Sequence, residues 1–239
     1  MGWEHWERQA EDWVRWARTP GHDSFWDFGP AFLDTVVPAP GTATLEVGCG
    51  EGRVARLLHA KGHRVVAVDA SPTLLRHAIE ADADPRYVMA DMGALPFADA
   101  VFDVVVAYNS LMDVEDMPGA VAEASRVLAL SGRLCVCVTH PVADAGTFAD
   151  RSADAPFTLT GSYLEERPFE GTFERAGLRM VFSGRAYPLE SYARALEDAG
   201  LLIEILREPA VPEEVLRRDP AEARWTRIPN FLWLRAVKA

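Results

Sequence analysis

A doubly wound α/β fold is predicted for this 239-residue chain by three features of its sequence. Short, almost uninterrupted apolar runs alternate with amphipathic segments, the links between them are brief, and a turn of alternating glycines follows the first run. Continuous apolar strands mark a parallel sheet covered on both faces, and alternating β and α stretches supply that cover. A chain of this length can bury a substantial core as one domain, 1–239.

The elements follow in order. Trp3, Trp6, Ala10, Trp13 and Ala17 recur every three or four residues, which places them on one stripe of a helix ended by Thr19-Pro20-Gly21. Residues 1–38 are therefore read as a helical cap ahead of the sheet. Strands are expected at 43–47, 64–69 and 86–90, with helices at 53–61 and at 72–82, the latter opening on Pro72. After Leu95-Pro96-Phe97 come a strand at 102–108, a helix at 118–128 and, past the Ser131-Gly132 turn, a strand at 133–139. A helix at 189–199 and strands at 201–207 and 231–237 complete the pattern. Residues 141–185 break it: they open on Pro141, carry five glycines and hold two strand-like pieces, 157–164 and 178–182. An insertion after the fifth strand lies over the carboxyl edge of the sheet, so it reads as a lid whose aromatic residues pack onto something.

The densest signal is Thr44-Leu45-Glu46-Val47-Gly48-Cys49-Gly50-Glu51-Gly52-Arg53, followed by Arg64-Val65-Val66-Ala67-Val68-Asp69. A strand, a glycine turn, a helix and a second strand ending on a carboxylate form a nucleoside-binding β-α-β unit. A dinucleotide fingerprint needs its third glycine at position 53, which is Arg53, and this disfavours a nicotinamide-dependent oxidoreductase. Asp69 alone suits a ribose in either cofactor class. The G-x-G-x-G spacing, with Glu46 two residues ahead, resembles motif I of the class I S-adenosylmethionine-dependent methyltransferases.

That resemblance is dense over about residues 40–140 and implies a Rossmann-like seven-stranded sheet in the order 3-2-1-4-5-7-6, with strand 7 antiparallel. It implies S-adenosyl-L-methionine as cofactor, with Glu46, Gly48, Cys49, Gly50, Gly52 and Arg53 around its amino acid end. Asp69, with Ala70 and Ser71 beside it, would receive the ribose; Asp91 and Met92 the adenine; Asn109, Ser110 and Leu111 the methionine part. Trp13 or Trp16 would cover the sulfonium, although both also suit plain core packing. Methyl transfer from a sulfonium is an in-line displacement, so an enzyme chiefly aligns the acceptor and excludes water.

If the acceptor must lose a proton, His140 at the end of the fifth strand is the expected base, with helix capping as its other reading. Tyr108, Asn109 and Asp113 are expected to position the acceptor, and His22 and Tyr163 join them from the flanking segments. His59, His63 and His77 read as surface residues. The chain lacks the Asn/Asp-Pro-Pro-aromatic run of DNA amino-methyltransferases, and no metal is expected. A net charge of −12 gives no basic footprint for nucleic acid, which leaves a small-molecule acceptor methylated at O, N or C, with a protein that binds the cofactor without transferring its methyl group as the alternative. Cys49, Cys135 and Cys137 read as apolar filler. Without a membrane span or leader pattern, a cytoplasmic monomer or homodimer is expected, with no membrane partner.

Overall fold

The computed structural model describes residues 2–239. Two helices, α1 (Trp3–Arg18) and α2 (Phe25–Thr35), precede β1 (Thr44–Val47). Then come α3 (Arg53–Ala60), β2 (Val65–Asp69), α4 (Pro72–Ala81), β3 (Arg86–Met89), β4 (Phe102–Tyr108), α5 (Met117–Val127) and β5 (Leu128–Thr139). The short α6 (Pro141–Asp144) leads into two antiparallel hairpins, β6 (Gly146–Phe148) with β7 (Phe157–Leu159) and β8 (Arg167–Arg175) with β9 (Leu178–Ala186). The chain closes through α7 (Leu189–Asp198), β10 (Leu201–Arg207), α8 (Glu213–Arg218) and β11 (Phe231–Lys238).

Seven strands form one sheet in the order β10-β11-β5-β4-β1-β2-β3, with β11 antiparallel to both of its neighbours. This is the expected strand order. Side chains alternate across the sheet, so each strand feeds two cores. Val104, Val106, Cys135 and Cys137 meet Phe28, Phe32 and Leu58 from α2 and α3 on one face. Val105, Ala107, Val136 and Leu234 meet residues of α5 and α7 on the other. Burial of both faces explains why these strands carry no polar alternation. The three cysteines are free and buried, and burial pushes the Cys135 thiol up to about 12.

Three departures from the expected pattern have physical causes. The cap holds a second helix, α2, across Gly29-Pro30. Its Phe25, Phe28, Phe32 and Leu33 are buried against the sheet, and that tertiary packing outweighs the poor helix propensity of glycine and proline. Strand β5 starts at Leu128, because Leu128 pairs with Phe102 and the expected Ser131-Gly132 turn is absorbed as a bulge with Ser131 at φ 61°. The insertion forms two hairpins, with strand β8 wholly unanticipated.

Cap and insertion close over the carboxyl edge of the sheet. On the cap side, Glu7 accepts bonds from the hydroxyls of Ser71 and Thr73, and Arg18 reaches Glu51 at 2.8 Å. His5 Nε2 lies 2.9 Å from the carbonyl of Val181, and Arg175 donates to the carbonyl of His22 at 2.6 Å, joining α1 and its following loop to the β8–β9 hairpin.

Candidate active site

Beneath that cover lies a cavity of about 1410 Å³. A drug-sized ligand occupies a pocket of about 300–1,000 Å³, so two small molecules fit here side by side.

The floor is backbone. Gly48 stands at φ 70°, and a Cβ there would come within 2.5 Å of Ser110 Cβ, so only glycine lets the β1 turn pass so close to the β4 end. Ser110 is held by its hydroxyl donating to the carbonyl of Val47 at 2.8 Å. Asn109 adopts φ 50°, a strained position of the kind found at ligand sites, while its main-chain NH donates to Cys137 at 2.7 Å.

Two carboxyls border this floor. Asp69 accepts from the main-chain NH of Gly50 at 2.7 Å and of Ser71 at 2.8 Å, which fixes both oxygens and leaves lone pairs for a diol. Burial raises its pKa. Glu46 is 2% exposed, and its Oε2 has no hydrogen-bond partner. Burial, with Asp69 and Glu51 adding negative charge, lifts its carboxyl well above the usual range. A buried acid left unpaired on a cavity floor is the electrostatic partner a cation lacks. Glu51 is different in kind: it is clamped by Arg18 and by Arg56 at 2.9 Å, and it joins the cap to α3.

One wall is aromatic. Phe182 of β9 packs edge-on against Trp6, Trp13, Trp16 and Phe173 at 5.4–6.3 Å. Arg53 lies over the rings of Trp13 and Phe25 and pairs with Asp23 at 2.7 Å. Trp16 Nε1 and His22 Nε2 are buried without hydrogen-bond partners among the described residues. Asp113 and Asp144 line the remaining wall. Burial lifts Asp113 well above the carboxylate range and raises Asp144 to about 7 against the opposing pull of Arg167.

Trp13, Trp16, Glu46, Gly48, Cys49, Gly50, Arg53, Asp69, Ala70, Asp91, Met92, Asn109 and Ser110 thus line one cavity, joined by His22, Tyr108 and Asp113. Five expected residues do not. His140 caps α6: its Nδ1 accepts from the NH of Val142 at 3.1 Å, and its Nε2 lies 3.0 Å from Glu208. Both ring nitrogens are engaged away from the cavity, so the expected base is a structural cap. Ser71 caps α4 by accepting from the NH of Leu74 at 3.1 Å, and Leu111 is core. Gly52, at φ 84°, starts α3 against Tyr87. The Tyr163 hydroxyl accepts from the NH of Leu189 at 3.2 Å. His63 is buried against Thr44 at 2.9 Å, contrary to its surface reading. Asp144 was not among the expected site residues and Phe182 was expected only as one of the packing aromatics of the lid, because nothing in their local sequence announces which way the insertion folds.

A protein-family profile described as "Methyltransferase domain" matches residues 45–136. Among curated proteins, the chain is 33% identical over 101 residues to a malonyl-[acyl-carrier protein] O-methyltransferase of Serratia marcescens, covering 42% of this chain and 40% of that one. It is 33% identical over 120 residues to a demethylmenaquinone methyltransferase of Clavibacter sepedonicus, covering 49% and 48%. Each match spans less than half of the relative's length. An S-adenosylmethionine-dependent methyltransferase structure from Mesorhizobium loti shares the fold, with TM-score 0.72 and 23% identity over 90% of this chain and 98% of that one.

Proposed function

We infer that this chain, whose residues 45–136 match a methyltransferase-domain profile, is a class I S-adenosylmethionine-dependent methyltransferase that transfers a methyl group to a small-molecule acceptor. The observation that carries this reading is the unpaired, buried Glu46 carboxyl beside the bare backbone of Gly48 and the fixed carboxylate of Asp69. Those groups fit a cofactor with a cationic amino acid end and a ribose. When bound, the sulfonium supplies an electrophilic methyl group. Asp69 holds hydroxyls, Glu46 balances positive charge, and Asp91 with Met92 borders the base. Cap and hairpin exclude water from the aromatic wall, which favours displacement over hydrolysis. No enzyme nucleophile is required. The relative named for demethylmenaquinone supports a small acceptor, and the acidic character of the cavity disfavours nucleic acid.

Thermal denaturation with S-adenosylhomocysteine tests this reading. At about a hundred times its dissociation constant, a ligand adds roughly 2.7 kcal/mol of stability, so the melting point should rise by several degrees. NAD and NADP should produce no shift, and Asp69→Ala should lose most of the S-adenosylhomocysteine shift. A shift by NAD, or an undiminished one in Asp69→Ala, contradicts the reading.

A further inference from the structure

Most of the carboxylates around the cavity belong to its cofactor side or its rim, but Asp113 and Asp144 do not. Both sit at the root of the β8–β9 hairpin. A Cβ at Gly184 would fall 3.1 Å from Asp113 Oδ1, so β9 passes directly over that carboxyl. Asp144 ends α6, where its main-chain carbonyl takes a hydrogen bond from Arg167, and Arg167 pairs across the hairpin with Ala186, two residues from Gly184. Tyr192, buried nearby, feels both carboxylates.

Neither side chain has a salt bridge or hydrogen bond among the described residues. The arginines that line the cavity are engaged elsewhere. Arg53 pairs with Asp23, Arg151 with Asp219 and Glu222, and Arg224 with Glu222. Arg175 holds the His22 carbonyl, and Arg185 lies over the Tyr187 ring. Among the described residues that line the cavity, carboxyls outnumber arginines thirteen to five. Independently, His22 is more than nine-tenths buried on the same cavity, and its Nε2, able to accept from an N–H, has no hydrogen-bond partner among the described residues. Unsatisfied buried polar groups of this kind are costly unless a ligand meets them.

We propose that the half of the cavity between the Phe182 aromatic wall and Asp113 with Asp144 receives an aromatic or apolar amine, entering as its ammonium ion. This rests on the methyltransferase reading and specifies its acceptor. The rings supply a face to which a cation is drawn. The two carboxyls accept its N–H bonds, and the ammonium in turn favours their ionised form, which offsets its desolvation. The ammonium must lose a proton before its nitrogen can attack. The N–H bond breaks, its electron pair stays on nitrogen, and the proton joins an oxygen of Asp144. The raised affinity of Asp144 for a proton suits it to accept one near neutrality. A carboxylate acceptor would meet repulsion in the same place.

Isothermal titration calorimetry of the full chain, saturated with S-adenosylhomocysteine, separates these cases with three probes of similar shape: 2-phenylethylamine, 2-phenylethanol and 3-phenylpropionate. The amine should bind at least tenfold more tightly than the alcohol, and the acid most weakly. Asp113→Asn and Asp144→Asn should each weaken amine binding at least fivefold, with the alcohol and S-adenosylhomocysteine within twofold of the parent chain. If the acid binds as tightly as the amine, or the amine gives no heat while S-adenosylhomocysteine does, the proposal falls and the methyltransferase reading stands. No heat with S-adenosylhomocysteine removes the methyltransferase reading instead, and the amine ranking is then judged on the chain alone by the same criterion. Should a variant fail to fold, the three-probe ranking on the parent chain decides.

Discussion

Single residues here divide into those that face a ligand and those that hold the backbone, and titration tells them apart. His140 belongs to the second group, with one ring nitrogen capping α6 and the other on Glu208. His140→Ala should cost about 1 kcal/mol of stability through the lost cap, with turnover within threefold of the parent; a hundredfold fall in kcat would restore it as a base. Asp144 belongs to the first group. Its carboxyl titrates at about 7 in the folded chain and near 3.9 when unfolded, so the folded state binds the proton more tightly. The sign follows from that order. Stability is unaffected below the unfolded value, falls as pH rises between the two, and stays reduced above 7. Asp144→Asn should therefore melt at the parent's temperature near pH 3.5 and several degrees higher at pH 8. Equal melting points at pH 8 would show that burial does not strain this charge.

The β8–β9 hairpin acts as an element because glycine lets it sit low. At Gly184 a Cβ would meet the carbonyl oxygen of Met112 at 2.7 Å, so the strand rests directly on the short 3₁₀ turn that carries Asp113. Gly184→Ala should lift the hairpin, raise the acceptor KM severalfold and leave S-adenosylhomocysteine affinity within twofold. A change in cofactor affinity equal to the change in KM would place Gly184 on the cofactor side. Cap and hairpin meet through His5 with Val181 and through Arg175 with His22. Helix α1 is itself fastened to α3 and α4 by Arg18–Glu51 and by Glu7 with Ser71 and Thr73.

Across the whole molecule, what was legible in the sequence is what local chain geometry decides. The glycine floor, Glu46, Asp69 and the β4 end all lie within a few residues of a strand terminus, and a right-handed β-α-β connection brings successive strand ends to one edge, whereas the strand order followed only from the resemblance to the methyltransferase family. Spacing along the chain suffices to place them there. The same logic left His140 between base and cap and set Ser71 beside the cofactor, because a side chain at a strand end also caps the next helix, and the choice depends on whether Glu208 or Glu7 arrives from far along the chain. The second half of the cavity was legible only in part: His22, Tyr108 and Asp113 were expected there, Phe182 only as one of the aromatic residues of the lid, and Asp144 not at all. Trp16, Asp113, Asp144 and Phe182 come from four separate elements. Their meeting is settled by packing of the cap and hairpin over the sheet, a non-local balance of burial and hydrogen bonding that no periodicity records. Sequence alone determined the sheet and its cofactor edge; tertiary structure decided which polar groups face the second half of the cavity and which only hold it in place.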